Sequence, residues 1–222
     1  MKGREAALAG RYEEALQEYV WFHHHALEHN PALYGVRLSF ALSDWLELAE
    51  SYPEARRVLE EIRDEKSTTL ARGDGSRELF HDVASINEYL GAELETYKLF
   101  RLLGARSPEF AKQCADLALE AIVSARDFEL ARDNSPSPEN ALLRFSADLN
   151  EDVARFKSGP PVKAPRLDAY THIYCDRVGT LIQIINGLGD LETARCTREW
   201  AVALVEDKAI RARVAKALYG RP

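Results

Sequence analysis

The chain has 222 residues, of which 46% are hydrophobic and 29% are charged, and its formal net charge is −7. This balance is typical of a globular protein with a substantial buried core. The acidic character argues against broad nucleic-acid binding, which needs a basic face. The sequence has no run of about 18 apolar residues that would predict a membrane-spanning helix. The first residues lack the apolar core of a signal peptide, so we expect a cytoplasmic protein without a membrane partner.

Helical periodicity dominates the chain and strand signals are sparse, so we predict an all-α fold of about 9 to 11 helices. The predicted helices cover about residues 4–9, 12–28, 32–50, 53–66, 79–103 with a break at Gly91, 108–125, 139–156, 167–188, 191–206 and 208–218. Two proline-rich segments, 134–138 and 158–165, read as linkers that flank one helix. We therefore predict a single domain, 1–222, with a possible subdivision near residues 134–166.

The clearest local pattern lies in residues 45–64, where two helical patterns are joined by a very short break at residues 51–53. Proline is tolerated in the first turn of a helix, so Pro53 fits the start of the second one. Tyr52 is followed three residues later by the small Ala55. This stretch predicts a helical hairpin.

A similar pattern recurs along the chain: a turn residue, a bulky residue two positions later and a small residue three positions after that. The copies are Gly10-Tyr12-Ala15, Glu50-Tyr52-Ala55, Gly91-Glu93-Thr96, Arg126-Phe128-Ala131 and Gly189-Leu191-Ala194. The first four copies are 40, 41 and 35 residues apart, and the fifth follows a longer insertion. A small residue is needed where two helices of a hairpin approach closely, so the pattern has a packing reason.

With this pattern the chain resembles the tetratricopeptide repeat (TPR) family, whose unit is a pair of antiparallel helices about 34 residues long. The second copy has its packing residues at Leu42, Ser43, Leu46, Tyr52, Ala55, Leu59 and Ile62, and the third at Phe80, Val83, Ala84, Gly91, Thr96, Phe100, Leu103 and Pro108. The resemblance covers most of the chain, but the other copies are degenerate. It implies antiparallel hairpins stacked as a right-handed superhelix, a non-enzymatic module that binds a protein or peptide partner.

The resemblance also implies which residues line the concave groove of such a superhelix. Carried over position by position, they are Arg37, Phe40, Asp44, His81, Ser85, Gln113 and Asp116, and more weakly Asp176 and Gln183. The Lys/Asn clamp that some family members use for a terminal carboxylate is not reproduced. The alternative for each residue is an ordinary solvated side chain. Open ends of a stacked array leave apolar surface to cover, so a homo-oligomer is also possible.

A histidine-rich stretch at residues 23–29 supports a different function. His25, Glu28 and His29 match the H-x-x-E-H signature, in which two histidines on one helix hold zinc and the glutamate serves as base. This alternative is a small zinc-binding protein or a metal-dependent hydrolase. On a helical wheel the two histidines lie with Trp21, away from the apolar stripe, and purely structural histidines explain them as well. No other catalytic or cofactor motif is present, so we expect no cofactor and favour a non-enzymatic role.

The C-terminal residues suggest a third function. The last predicted helix and its tail carry Lys208, Arg211, Arg213, Lys216 and Arg221 without any acidic residue among them. Basic residues suit the negative end of a helix dipole, so a terminal cap is one interpretation. The other is a basic docking helix by which the chain joins an acidic partner in a larger assembly.

Overall fold

The structure, a computed structural model, describes residues 2–158 and 165–220, and in these ranges it contains fourteen α-helices, a short 3-10 turn and no strand. The all-α prediction is confirmed. None of the described helices combines the length and the apolar character needed to cross a lipid bilayer. Residues 159–164 of the predicted second linker lie outside the described ranges.

The contacts divide the chain into two compact units, Met1–Ala121 and Ile122–Pro222. The helices of the first unit are α1 (Lys2–Leu8), α2 (Tyr12–His29), α3 (Tyr34–Arg37), α4 (Phe40–Ser51), α5 (Pro53–Arg72), α6 (Arg77–Leu90), α7 (Glu93–Arg106) and α8 (Pro108–Gln113). Those of the second are α10 (Phe128–Asp133), α11 (Pro138–Ser158), α12 (Pro165–Gly187), α13 (Leu191–Ala203) and α14 (Lys208–Tyr219). Helix α9 (Ala115–Ser124) contains the boundary, which lies upstream of the proline-rich segments at 134–166.

The helix count of about 9 to 11 was too low for three local reasons. The predicted helix 32–50 is broken at Ser39, whose hydroxyl donates to the carbonyl of Gly35 at 2.7 Å and whose backbone leaves the helical region. The predicted helix 108–125 is broken at Cys114, where ψ is 0°. The third is α10, whose six residues are too few to show a period.

Four of the five recurring turns share one backbone geometry. Their turn residues have positive φ, namely Gly10 at 74°, Gly91 at 68°, Arg126 at 60° and Gly189 at 84°. The amide of the next residue donates to a carbonyl five positions back: Arg11 to Ala6 at 2.9 Å, Ala92 to Asn87 at 2.7 Å, Asp127 to Ile122 and Asp190 to Ile185 at 3.2 Å. This is the Schellman arrangement that ends helices. The turn before α5 differs, because Tyr52 is extended and Pro53 opens the helix.

The small residue of every copy is buried, as the packing argument requires. Ala15, Ala55 and Ala131 are 0% exposed, and Thr96 and Ala194 are 2% exposed. In the hairpin of α4 and α5 the indole Nε1 of buried Trp45 donates to the carbonyl of Ala55 at 2.9 Å. This bond ties the middle of one helix to the first turn of the next, so the predicted hairpin at residues 45–64 forms part of the core of the first unit.

The core of the second unit lies between α11, α12, α13 and α14. The buried Tyr174 hydroxyl donates to the carbonyl of Ala201 at 2.7 Å. Asn150 on α11 makes two hydrogen bonds to the backbone of the loop after α13. Its side-chain nitrogen donates to the Leu204 carbonyl and its side-chain oxygen accepts from the Glu206 backbone amide, each at 3.0 Å. These side-chain bonds join three helices without a strand or a disulfide in the described part of the unit.

Candidate functional site

The first unit contains a group of polar side chains, which we name the polar cluster: the buried His23, Arg37 and Asp82 and the partly buried Lys66. They come from four helices, α2, α3, α5 and α6 respectively. His23 and Arg37 are 4% exposed and Asp82 is 5% exposed. Charged residues are almost never buried to this extent unless they are paired, so the pairing within the cluster decides what it can do.

Arg37 and Lys66 both bind the carboxylate of Asp82. The Arg37 guanidinium donates in bidentate fashion, with Nη1 3.1 Å from Oδ2 and Nη2 on Oδ1. The Lys66 ammonium donates to Oδ2 at 2.5 Å. Burial raises the pKa of Asp82, but the bond from Arg37 and the charge of Lys66 outweigh it, so the pKa stays below its usual range. Asp82 is therefore ionised, and two cations share one anion.

His23 completes the cluster as a neutral group. Its Nε2 lies 3.5 Å from Arg37 Nη1, and its backbone carbonyl lies 3.4 Å from the same nitrogen. A guanidinium can only donate, so Nε2 accepts and the ring proton belongs on Nδ1. Burial, reinforced by the charges of Lys66 and Arg37, lowers the pKa of His23 to about 3. The imidazole stays neutral at physiological pH.

Tyr34 and His81 form the partly buried edge of the cluster. The Tyr34 hydroxyl lies 2.9 Å from His81 Nδ1, and Arg37 lies over the Tyr34 ring at 5.7 Å. Burial is the main cause that lowers the pKa of His81. Through Tyr34 and Arg37, the short helix α3 is attached to α6 by a neutral hydrogen bond and an ion pair.

Most of the predicted groove residues have partners inside the chain. Arg37 belongs to the polar cluster and His81 to its edge, and Ser85 on the same helix is buried. Asp44 lies 3.5 Å from Arg4, and Asp116 accepts two bonds from Arg77 at 2.7 and 2.8 Å. The carbonyl of Gln113 also accepts a hydrogen bond from Arg77, and Asp176 pairs with His172 at 3.0 Å. The side chains of Gln183 and Phe40 are exposed, Phe40 to 72%. The structure thus brings Arg37 and His81 together, and leaves partner binding a prediction.

The sequence analysis missed three members of the cluster: His23, Lys66 and Asp82. For His23 a signal existed, because it continues the buried series Leu16, Tyr19 and Ala26 at helical spacing. A polar residue inside an apolar stripe needs a buried partner. Lys66 and Asp82 give no such signal, since they meet only through the antiparallel packing of α5 and α6.

The histidines of the metal prediction lie elsewhere on α2 and face an aromatic ring. His25 Nδ1 lies 3.2 Å from the Glu28 carboxylate, and the rings of His25 and His29 lie 5.6 and 5.4 Å from the Trp21 ring. Among the described residues, no three His, Cys, Asp or Glu side chains are placed to share a metal ion. The zinc site stays a prediction, and the structure provides at most a partial ligand set for it.

We expect purified protein to contain well below one zinc per chain after dialysis, because structural and catalytic zinc sites use three or four protein ligands. Elemental analysis by mass spectrometry checks this, with His25→Ala as the test variant and His172→Ala on α12 as a matched exposed histidine. Stoichiometric zinc that His25→Ala removes and His172→Ala retains would contradict the expectation and establish the metal site.

Two arginines of the basic C-terminal helix α14 have partners within the chain. Arg211 Nε donates to the carbonyl of Val205 at 2.7 Å, and Arg213 pairs with Asp168 on α12. Lys208 and Lys216 are exposed, and Arg221 lies outside the described residues. Docking of this helix onto an acidic partner therefore stays a prediction that rests on two lysines.

Comparison with protein-family models, with curated proteins and with solved structures found no match for this chain.

Proposed function

We propose that the chain is a TPR-like helical-repeat protein without catalytic activity that binds a segment of a partner protein. The observation that carries this proposal is the repeated turn geometry. Gly10, Gly91, Arg126 and Gly189 have the same left-handed conformation, and a buried small residue follows each after five positions. The recurrence of one turn together with one packing position supports an arrangement in copies of one supersecondary unit, as in repeat proteins.

The helix contacts of the first unit support the same proposal. Helix α4 contacts both α5 and α6, and α5 contacts both α6 and α7. These two helices thus each touch their neighbour in sequence and the helix after that one. Stacked antiparallel hairpins have this contact pattern, because first helices pack on first helices and second helices on second helices.

Phe40 is the residue we expect to anchor the partner. It begins α4, a first helix of a hairpin, and it is 72% exposed, although Phe is among the residues most often buried. Glu47 is exposed on the same helix, and so is Ser43, which the TPR resemblance had placed among the packing residues. Aromatic anchors surrounded by polar side chains carry much of the energy of protein interfaces. The other predicted groove residues would shape the surface around this anchor.

A peptide-display selection against the immobilised protein tests this function. We expect enriched peptides that share a sequence motif and whose affinity falls at least about tenfold with Phe40→Asp, the loss of one aromatic anchor. The matched control is Leu94→Asp on α7, a second helix of a hairpin, because Leu94 is 53% exposed and belongs to the opposite helix class. Selected peptides that bind both variants equally, or a selection without any motif, would contradict the proposed surface.

A further inference from the structure

The outer face of helix α2 is acidic and has an exposed aromatic residue at its centre. Trp21 is 48% exposed and lies on the side of the helix away from the buried core residues. The helix contains four glutamates and neither lysine nor arginine. Arg11, just before the helix, pairs with Glu14 at 2.7 Å. Glu18, one turn before Trp21, and Glu28, two turns after it, therefore keep a negative charge on the Trp21 side.

The outer face of helix α14 has the opposite charge. The helix contains four basic residues and no acidic one, and the two arginines have partners within the chain. Lys208 and Lys216 are exposed, and in the described ranges no carboxylate pairs with either of them. The small residues Ala209 and Ala212 are exposed between the lysines, and Tyr219 is 55% exposed on the same side. This face combines two available cations with a shallow apolar surface.

The charges decide which faces can pair. Two α2 faces placed together would bring carboxylates against carboxylates, and two α14 faces would bring lysines against lysines. Like charges across an interface are unfavourable, and opposite charges favour and orient the encounter. The acidic α2 face is therefore complementary to the basic α14 face, and neither face is complementary to itself.

The spacing of the charges along the two helices also matches. An α-helix rises about 1.5 Å per residue, so Glu18 lies about 4.5 Å to one side of Trp21 along the axis and Glu28 about 10.5 Å to the other side. On α14 the two lysines lie about 6 Å to either side of Ala212. With Trp21 opposite Ala212, the flexible lysine stems reach both carboxylates, whichever way the helices run. Glu28 stays accessible next to His25, because its side chain is 67% exposed.

We propose that α2 of one copy of this chain binds α14 of a second copy. The Trp21 ring packs against the exposed alanines of α14, and the two lysines of α14 pair with Glu18 and Glu28. Because the two faces differ, this contact either closes a pair of copies through two identical contacts or continues from copy to copy. The contact does not involve Phe40, so it goes beyond the proposed function and does not depend on it.

The weight-average mass of the full chain in solution tests this contact, measured by sedimentation equilibrium at low salt. One helix from each copy makes a small interface, so we expect a weak association and a mass that increases at least about 1.5-fold between about 5 µM and about 0.2 mM protein. Salt at about 0.5 M should reduce the increase, because it screens exposed charges within a few Å.

Charge reversal identifies the two faces. The acidic-face variant combines Glu18→Lys with Glu28→Lys, and the basic-face variant combines Lys208→Glu with Lys216→Glu. Each variant alone should keep the mass of a single copy, because its two faces then have the same sign of charge. An equimolar mixture of the two should associate again, because each reversed face meets the oppositely reversed face of the other variant. Recovery in the mixture also shows that both variants are folded.

Two controls separate the contact from other effects. Glu151→Lys combined with Glu199→Lys changes the net charge as much as the acidic-face variant does, at side chains that are 71% and 52% exposed on other helices, and should leave the association intact. Phe40→Asp should leave it intact as well, since the partner surface is separate. A single-copy mass at every concentration, or a mixture of the two reversed variants that does not associate, would overturn the proposal.

Discussion

Asp82→Asn is expected to lower the free energy of unfolding of the first unit by about 3–5 kcal/mol, the usual result of removing one partner of a buried ion pair. The carboxylate accepts from Arg37 and Lys66, and it is the one anion of the polar cluster. With an amide in its place, the buried Arg37 and the partly buried Lys66 remain next to each other without an anion. The side chain barely changes in size, so the lower free energy of unfolding would result from the lost charge and not from altered packing.

Asp116→Asn provides the control for this substitution. Asp116 also accepts a bidentate bond from an arginine, Arg77, but its side chain is 69% exposed. Exposed ion pairs contribute about 0–1 kcal/mol, so we expect a change of at most that size. Both variants are compared by urea unfolding, followed by the fluorescence of Trp45 after Trp21→Phe and Trp200→Phe. Equal losses for the two variants would contradict the burial of the polar cluster.

Acid is expected to destabilise the first unit over the range from pH 6.5 to about 3. Burial, with Lys66 and Arg37, lowers the pKa of His23 from 6.5 to about 3 in the folded protein. Below pH 6.5 the unfolded chain therefore takes up a proton at His23 that the folded chain does not. The stabilisation is complete above pH 6.5 and is lost as the pH falls, by up to about 1.4 kcal/mol per pH unit. The lowered pKa of Asp82 also makes the folded state less stable once the pH falls below the pKa that this carboxyl has in the unfolded chain.

Replacement of His23 with Gln tests the assignment, because the Gln oxygen can still accept from Arg37 and does not titrate. Unfolding free energies between pH 7.5 and 4.5, measured with the same Trp45 reporter, should fall less steeply in His23→Gln than in the unaltered protein. Trp45 is a suitable probe because its ring lies 6.3 Å from that of His23. His172→Gln, at a side chain that is 73% exposed, should leave the slope unchanged. An unchanged slope in His23→Gln would show that His23 is not the group responsible.

The fold class and the hairpin positions could be predicted from the sequence because they depend on local patterns. Apolar residues at helical spacing marked the helices, and the small residues at Ala15, Ala55 and Ala131 marked where two helices approach. The breaks at Ser39 and Cys114 could not be predicted, because both lie inside a continuous apolar pattern and depend on single dihedral angles.

The candidate site was predicted only in part. Arg37 and His81 were singled out for a groove, but the structure gives Arg37 a buried partner on α6 and His81 a partner on α3. Asp82 and Lys66 are 16 residues apart on different helices, so no local spacing connects them to Arg37. A buried ion pair depends on tertiary packing, and one sequence without that packing does not distinguish it from two solvated charges.

The turn at Arg126 is expected to unfold locally more often than the related turns. Among the described residues it is the one non-glycine position with positive φ, in a place where the related turns have glycine. The left-handed conformation is less favourable by about 1–2 kcal/mol for a residue with a side chain. The six-residue α10 that follows is also too short to be stable by itself. Local unfolding should therefore begin at this turn more often than at the turns of Gly10, Gly91 or Gly189.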